Sequence, residues 1–109
     1  MVDPSVMRSA RSYLEHLARE GISVQFGMIF GSHATGGANR WSDIDLLVVS
    51  RRFDGLRNRR DIDLLWRVAA KVDSRIEPIP CGEKQWIGDV SSAIVEIARR
   101  EGERVSVNP

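Results

Sequence analysis

The sequence predicts an α/β (α+β) domain with its elements in the order α-β-(loop)-β-α-β-α. Three observations carry that reading. Apolar residues recur at helical spacing from Pro4 or Ser5 to Glu20 and again from Asn58 to Val72. Between and after these stretches lie short runs rich in β-branched and aromatic residues, bounded by glycine or proline, which is how buried strands are punctuated. The strands are too few and the loops too short for a doubly wound sheet of the Rossmann type.

In the first helix Val6, Met7, Ala10, Tyr13, Leu14, Leu17 and Ala18 form the apolar stripe, and Gly21 supplies the stop. The stretch "ISVQFGMIF", bounded by Gly21 and by the pair Gly31-Ser32, reads as a buried strand. "GSHATGGAN" then reads as a glycine-rich loop or a short helical turn. In "DIDLLVVS" Ile44, Leu46 and Val48 alternate with Asp43, Asp45, Leu47 and Val49, the period of a second strand. A loop around Phe53-Asp54-Gly55 leads to a helix whose apolar face is Ile62, Leu65, Val68, Ala69 and Val72. "SRIEPIP" is a third strand, and its Pro78 and Pro80 argue for an edge or for a strand that ends there. "CGEKQW" reads as a turn. Asp89 is the expected N-cap of a last helix, with Val90, Ala93, Ile94, Ile97 and Ala98 inward, ending near Gly102.

With 109 residues, 42% of them apolar, the chain is expected to form one domain over residues 1–109, enough for a single core but not for a separate substrate-binding domain. The formal net charge of +1 argues against a dedicated duplex-DNA binder, which usually presents a clustered basic face. The Arg pairs at 51–52, 59–60 and 99–100 read as solvated edges. The single cysteine, Cys81, excludes an intrachain disulfide and a cysteine-based zinc cluster and is expected as a small buried apolar residue. No signal peptide is recognisable and no apolar run approaches the ~20 residues of a membrane span, so a soluble, cytoplasmic protein is expected.

The pentapeptide DIDLL occurs twice, at 43–47 and at 61–65. In a strand, alternate side chains share a face, so Asp43 and Asp45 point the same way with Cα atoms roughly 6.6 Å apart. Two carboxylates placed so can converge on one cation or bridge two. In a helix each residue turns by about 100°, which sends Asp61 and Asp63 roughly 200° apart. The second copy is therefore expected to do no more than complement the positive end of its helix. Beside the first copy, Gly31-Ser32 leaves a strand end, where backbone N–H groups and a hydroxyl can face a phosphate. Carboxylates that hold Mg²⁺ beside such an anion cradle form the arrangement nucleotidyl transfer needs, because Mg²⁺ takes one or two carboxylates and completes its octahedron with phosphate oxygens and water.

The stretch "GSHATGGANRWSDIDLLVV", about a sixth of the chain, resembles the signature of the polymerase-beta-like nucleotidyltransferase superfamily. It looks most like the minimal nucleotidyltransferases, with Gly31, Ser32, Ala34, Gly36, Ser42, Asp43, Ile44, Asp45 and Leu46 fitting their pattern. The resemblance implies a small mixed sheet with flanking helices and a third carboxylate on the next strand. Glu77 is the residue available there, a departure from the Asp that members more often carry. By the same resemblance Asp43, Asp45 and Glu77 would be catalytic and hold two Mg²⁺ ions, Gly31 and Ser32 would hold the phosphates of ATP or another NTP, and the clustered carboxylates would repel without metal and raise at least one pKa.

Around this core, His33 and Thr35 are open to either a substrate contact or a solvent-facing place, Arg40 is expected as an exposed loop arginine, and Ser42 as a cap for the loop. Lys84 reads as a solvated charge. Trp41, Trp66 and Trp86 are expected in core or partner-facing roles. Many minimal nucleotidyltransferases pair with a helical HEPN-domain toxin, some adenylylating a toxin tyrosine. Three functions follow: an Mg²⁺-dependent transferase of AMP to a protein hydroxyl, acting as antitoxin; a non-catalytic antitoxin that acts by occlusion; or a subunit of an aminoglycoside-like, small-molecule nucleotidyltransferase. A homo- or hetero-oligomer is expected for so small a domain.

Overall fold

The computed structural model describes residues 2–88 and 91–107, and its first element is helix α1, Pro4–Arg19. Asp3 caps it, its carboxylate accepting from the Ser5 backbone N–H at 2.8 Å and from the Ser5 hydroxyl at 2.6 Å, which satisfies a donor the first turn leaves without a partner. Val6, Ala10, Tyr13, Leu14 and Leu17 are buried as the stripe requires, while Ala18 is exposed.

The described residues form four strands: β1 (Phe26–Phe30), β2 (Ile44–Val49), β3 (Ile76–Cys81) and β4 (Glu103–Ser106). They form one mixed sheet in the order β3-β2-β1-β4. The β1–β2 and β1–β4 pairs are antiparallel and β2–β3 is parallel. A parallel pair needs a crossover, supplied here by helix α3 (Arg59–Val72), whose cap Asn58 accepts from the Arg60 N–H at 2.8 Å. β3 is an edge strand, the position that Pro78 and Pro80 tolerate.

Both faces of the sheet are covered. Ile29, Ile44, Leu46, Val48, Ile76 and Val105 pack under α1 and α3, where the buried Tyr13 hydroxyl donates to the Leu65 carbonyl at 2.9 Å. Met28, Phe30, Leu47, Val49 and Cys81 form the opposite face with Val95 and Ala98 of helix α5 (Ala93–Glu101). β2 is thus apolar on both sides, the reason its sequence runs on as Leu-Leu-Val-Val. Truncating a fully buried residue there, such as Leu47→Ala, costs about 2–5 kcal/mol. Cys81 is buried as expected.

Four expectations are corrected. β1 starts at Phe26, four residues later than the run "ISVQFGMIF" suggests; Ile22 is buried in the core from the connecting segment instead. "CGEKQW" is no simple turn, because helix α4 occupies Glu83–Gly88. α5 begins at Ala93 with the Ser92 hydroxyl capping it; Val95, Ala98 and the partly buried Ile97 face inward, while Ala93 and Ile94 are exposed. The expected cap Asp89, with Val90, lies outside the described residues. β4 was not anticipated at all, since only Val105 of its four residues is buried and a single alternation is too short to signal a strand. The Arg pairs also divide: Arg51, Arg52 and Arg99 bond to Glu83, Asp61 and the Trp86 carbonyl, while Arg59, Arg60 and Arg100 are exposed. Among the described residues no helix is long and apolar enough to cross a membrane.

Candidate functional site

Phe30, Asp45 and Glu77 stand in one row across β1, β2 and β3, because Phe30 pairs with Asp45 and Asp45 with Glu77. Residues in register across a ladder share a face. The row therefore ends the same face on which Leu47, Val49 and Cys81 meet α5, and the carboxylates sit where that cover stops. A one-turn helix, α2 (Ser32–Thr35), follows β1 directly.

Gly31 joins the two halves of the site. Its φ of 74° and ψ of −152° form a conformation that residues with a side chain rarely adopt. A Cβ placed there would lie 2.2 Å from Asp45 Oδ2. The Asp45 carboxylate thus rests on the bare Cα of Gly31, so the glycine-serine turn and the acidic strand touch directly. Thr35 Oγ1 donates back to the Gly31 carbonyl at 3.2 Å and closes the turn of α2.

Asp43 lies just before β2 and is exposed, whereas Asp45 and Glu77 are half-buried. Burial raises the pKa of Asp45, and the negative charge of Asp43 raises it further, while a hydrogen bond with Glu77 and the nearby His33 pull it down. Glu77 is raised as well, first by burial and then by the charges of Asp43 and Asp45 and its hydrogen bonds with them. A carboxyl can bond to a carboxylate only through a proton between them. Both shifts favour the protonated carboxyl, as the repulsion argument anticipated.

Among the described residues no group of three or more Asp, Glu, His or Cys side chains is placed to hold a metal ion. The donors nevertheless suit a divalent cation such as Mg²⁺, which needs one or two protein carboxylates and takes phosphate oxygens and water for the rest. Asp45 and Glu77, adjacent across the ladder, are the two carboxylates that such a cation would meet.

The segment from Gly36 to Asp43 is held by hydrogen bonds. Ser42 Oγ accepts from the Asn39 N–H at 3.0 Å and Asn39 Oδ1 accepts from the Trp41 N–H at 2.8 Å, the capping role expected of Ser42. His33 is 8% exposed, and its Nε2 donates to the Ser42 carbonyl at 3.0 Å. It is a strut beneath the loop, and its burial overturns the solvent-facing place that was one of the two left open. Trp41 is 76% exposed with the Arg40 guanidinium 4.8 Å from its ring centre.

The other residues singled out lie elsewhere. In the second DIDLL copy Asp61 is 5% exposed and takes a forked bond from Arg52, Nε to Oδ2 at 2.8 Å and Nη2 to Oδ1 at 3.1 Å. It is a buried ion-pair partner and more than a helix-dipole residue; Asp63 is exposed. Trp86 packs edge-on against Phe26 at 5.3 Å. Trp66 is 50% exposed on α3, in a shallow depression of about 620 Å³ lined also by Arg60, Asp63, Arg67 and Ala70 and by none of Asp43, Asp45 and Glu77. Sequence reasoning missed Arg75, whose hydrogen bonds reach the loop that carries Asp43.

A family model for the nucleotidyltransferase domain matches residues 11–100. Among solved structures, a candidate nucleotidyltransferase from Sulfolobus solfataricus is 20% identical with a TM-score of 0.63, over 92% of this chain and 78% of that one. A toxin-antitoxin structure with AMP-PNP is 23% identical with a TM-score of 0.61, over 90% of this chain and 73% of the other. A mutant of the toxin-antitoxin MntA-HpeT is 21% identical with a TM-score of 0.59, over 90% and 73%. At these identities the likeness is one of fold. No curated protein sequence matches.

Proposed function

Because the chain belongs to the nucleotidyltransferase domain family, we propose that it moves a nucleoside monophosphate, AMP from ATP, onto a hydroxyl of a protein partner, as the antitoxin of a toxin-antitoxin pair. The observation that carries this reading is Asp45 resting on Gly31 with Glu77 directly across the ladder. An acidic cluster and a glycine-serine turn meet at one point, the combination that a metal-bound triphosphate requires.

In this reading Asp43, Asp45 and Glu77 are the catalytic carboxylates and hold two Mg²⁺ ions, while Gly31 and Ser32 bind phosphate. Bound Mg²⁺ supplies positive charge that offsets the triphosphate and eases departure of pyrophosphate. The bare Cα of Gly31 lets the turn approach the phosphates, and the Ser32 hydroxyl donates to one of their oxygens. Glu77, its proton affinity raised by burial and by Asp43 and Asp45, takes the proton of the acceptor hydroxyl. The acceptor oxygen bonds to the α-phosphorus as the bond to pyrophosphate breaks.

The chain acts as one minimal domain over residues 1–109 in the cytoplasm, and the acceptor belongs to its partner. A HEPN-type toxin is the partner proposed, in keeping with the toxin-antitoxin structures that share the fold. The test is incubation of that partner with this protein, Mg²⁺ and each NTP, followed by intact-mass measurement. Addition of a nucleoside monophosphate is expected, with ATP as donor. An unchanged mass with every NTP would remove the transferase reading. One observation favours the alternative of an occluding, non-catalytic antitoxin: no three ligands among the described residues are drawn into a metal shell. Neutralisation of the partner without any mass change would establish that alternative.

A further inference from the structure

Asp43 sits on the loop and Glu77 on the neighbouring strand, so a site built from both depends on whatever fixes loop against strand. Arg75 lies two residues before Glu77, and its carbonyl accepts the Ile44 N–H at 2.8 Å, one residue beyond Asp43. Its side chain reaches the other side of Asp43: Nη1 donates to the Arg40 carbonyl at 3.1 Å. The guanidinium is aimed by Asp73, which accepts from Nε at 3.0 Å and from Nη2 at 2.7 Å. Asp73 thereby occupies two of the three guanidinium nitrogens and leaves Nη1 for the loop. His33 also hydrogen-bonds to this loop from outside it, from beneath.

We propose that Arg75 is a positioning residue, which brackets Asp43 through its own carbonyl and its Nη1 and so sets the Asp43 carboxylate against Asp45 and Glu77 for metal binding. The inference rests on the site assignment above. It explains why a forked cation is needed: the three bonds leave from three different nitrogens, whereas an ammonium offers all its donors from one and cannot span both Asp73 and the Arg40 carbonyl in this geometry. It also gives the Asp73-Arg75 pair, 14% and 28% exposed at the side chains, a role beyond ending α3.

Mn²⁺ serves as the probe, titrated into the nucleotide-free protein and followed by electron paramagnetic resonance, with melting measured in parallel. The wild type is expected to bind Mn²⁺ at a site that Asp45→Asn removes. Arg75→Gln, Arg75→Lys and Asp73→Asn are each expected to raise the Mn²⁺ midpoint about tenfold or more at temperatures where they remain folded, a loss comparable to one charge-assisted hydrogen bond. If a folded Arg75→Lys or Asp73→Asn protein keeps the wild-type midpoint, Arg75 merely supports the fold and the inference is wrong. If the wild type has no Mn²⁺ site sensitive to Asp45→Asn, the site assignment itself fails.

Discussion

Gly31→Ala tests the contact on which the site is built. At φ 74° and ψ −152° an alanine carries backbone strain of about 1–3 kcal/mol. For a domain of this size each kcal/mol lowers Tm by about 4–8 °C. The new methyl also meets Asp45 Oδ2 at 2.2 Å, well inside contact distance. The carboxylate must retreat by about 1 Å, a misplacement that costs on the order of 10²-fold in rate at a reacting centre. Gly36→Ala is the matched control. Gly36 also has a positive φ, 96°, but nothing lies within 4 Å of its would-be Cβ, so the strain is kept and the collision removed. Thermal melting and Mg²⁺-dependent binding of a fluorescent ATP analogue are measured on both. Both variants are expected to melt several degrees lower, and only Gly31→Ala to lose nucleotide binding. Wild-type binding by Gly31→Ala, or equal loss in Gly36→Ala, would refute the packing argument.

The remaining predictions concern charge. Asp43→Asn and Asp45→Asn should each abolish transfer from ATP while circular dichroism stays native; full activity in the double variant would exclude the catalytic reading. Asp61→Asn should keep transfer within a few-fold but lower stability by on the order of 1 kcal/mol, since it weakens the forked bond from a half-exposed Arg52; Asp63→Asn should change neither. Asp45 and Glu77 have folded pKa values above their unfolded ones. Without metal their contribution is therefore present below the usual carboxylate range and lost as pH rises through the raised values. The metal-free protein should lose part of its stability across that window, and the double change Asp45→Asn with Glu77→Gln should flatten the curve. A wild-type curve that instead rises throughout the window, unaffected by the double change, would contradict the assigned electrostatics.

Much of the site was legible because it rests on local rules. Asp45 lies in a strand-forming run, so alternation alone sets its face, with Asp43 just before the strand, and Gly31-Ser32 follows the preceding strand directly. Glu77 was implied by the family resemblance, which calls for an acidic residue on the next strand, and the parallel register sets it opposite Asp45. What stayed hidden depends on contacts between distant segments. Asp61 belongs to the same five letters as Asp45, yet only the fold reveals Arg52 beside it. Arg99 in an apparently solvated pair donates to the Trp86 carbonyl at 3.0 Å, holding α4 against α5. Arg75 and His33 act through backbone carbonyls of the loop, partners that no side-chain pattern reveals. β4 carries a single buried residue and exists because β1 offers it an edge.

The most direct measurement is equilibrium binding of a non-hydrolysable ATP analogue with and without Mg²⁺, comparing wild type with Asp45→Asn and Asp61→Asn. Binding that requires Mg²⁺, vanishes in Asp45→Asn and persists in Asp61→Asn is the predicted result. Binding that ignores Mg²⁺, or survives Asp45→Asn at wild-type strength, would contradict the account.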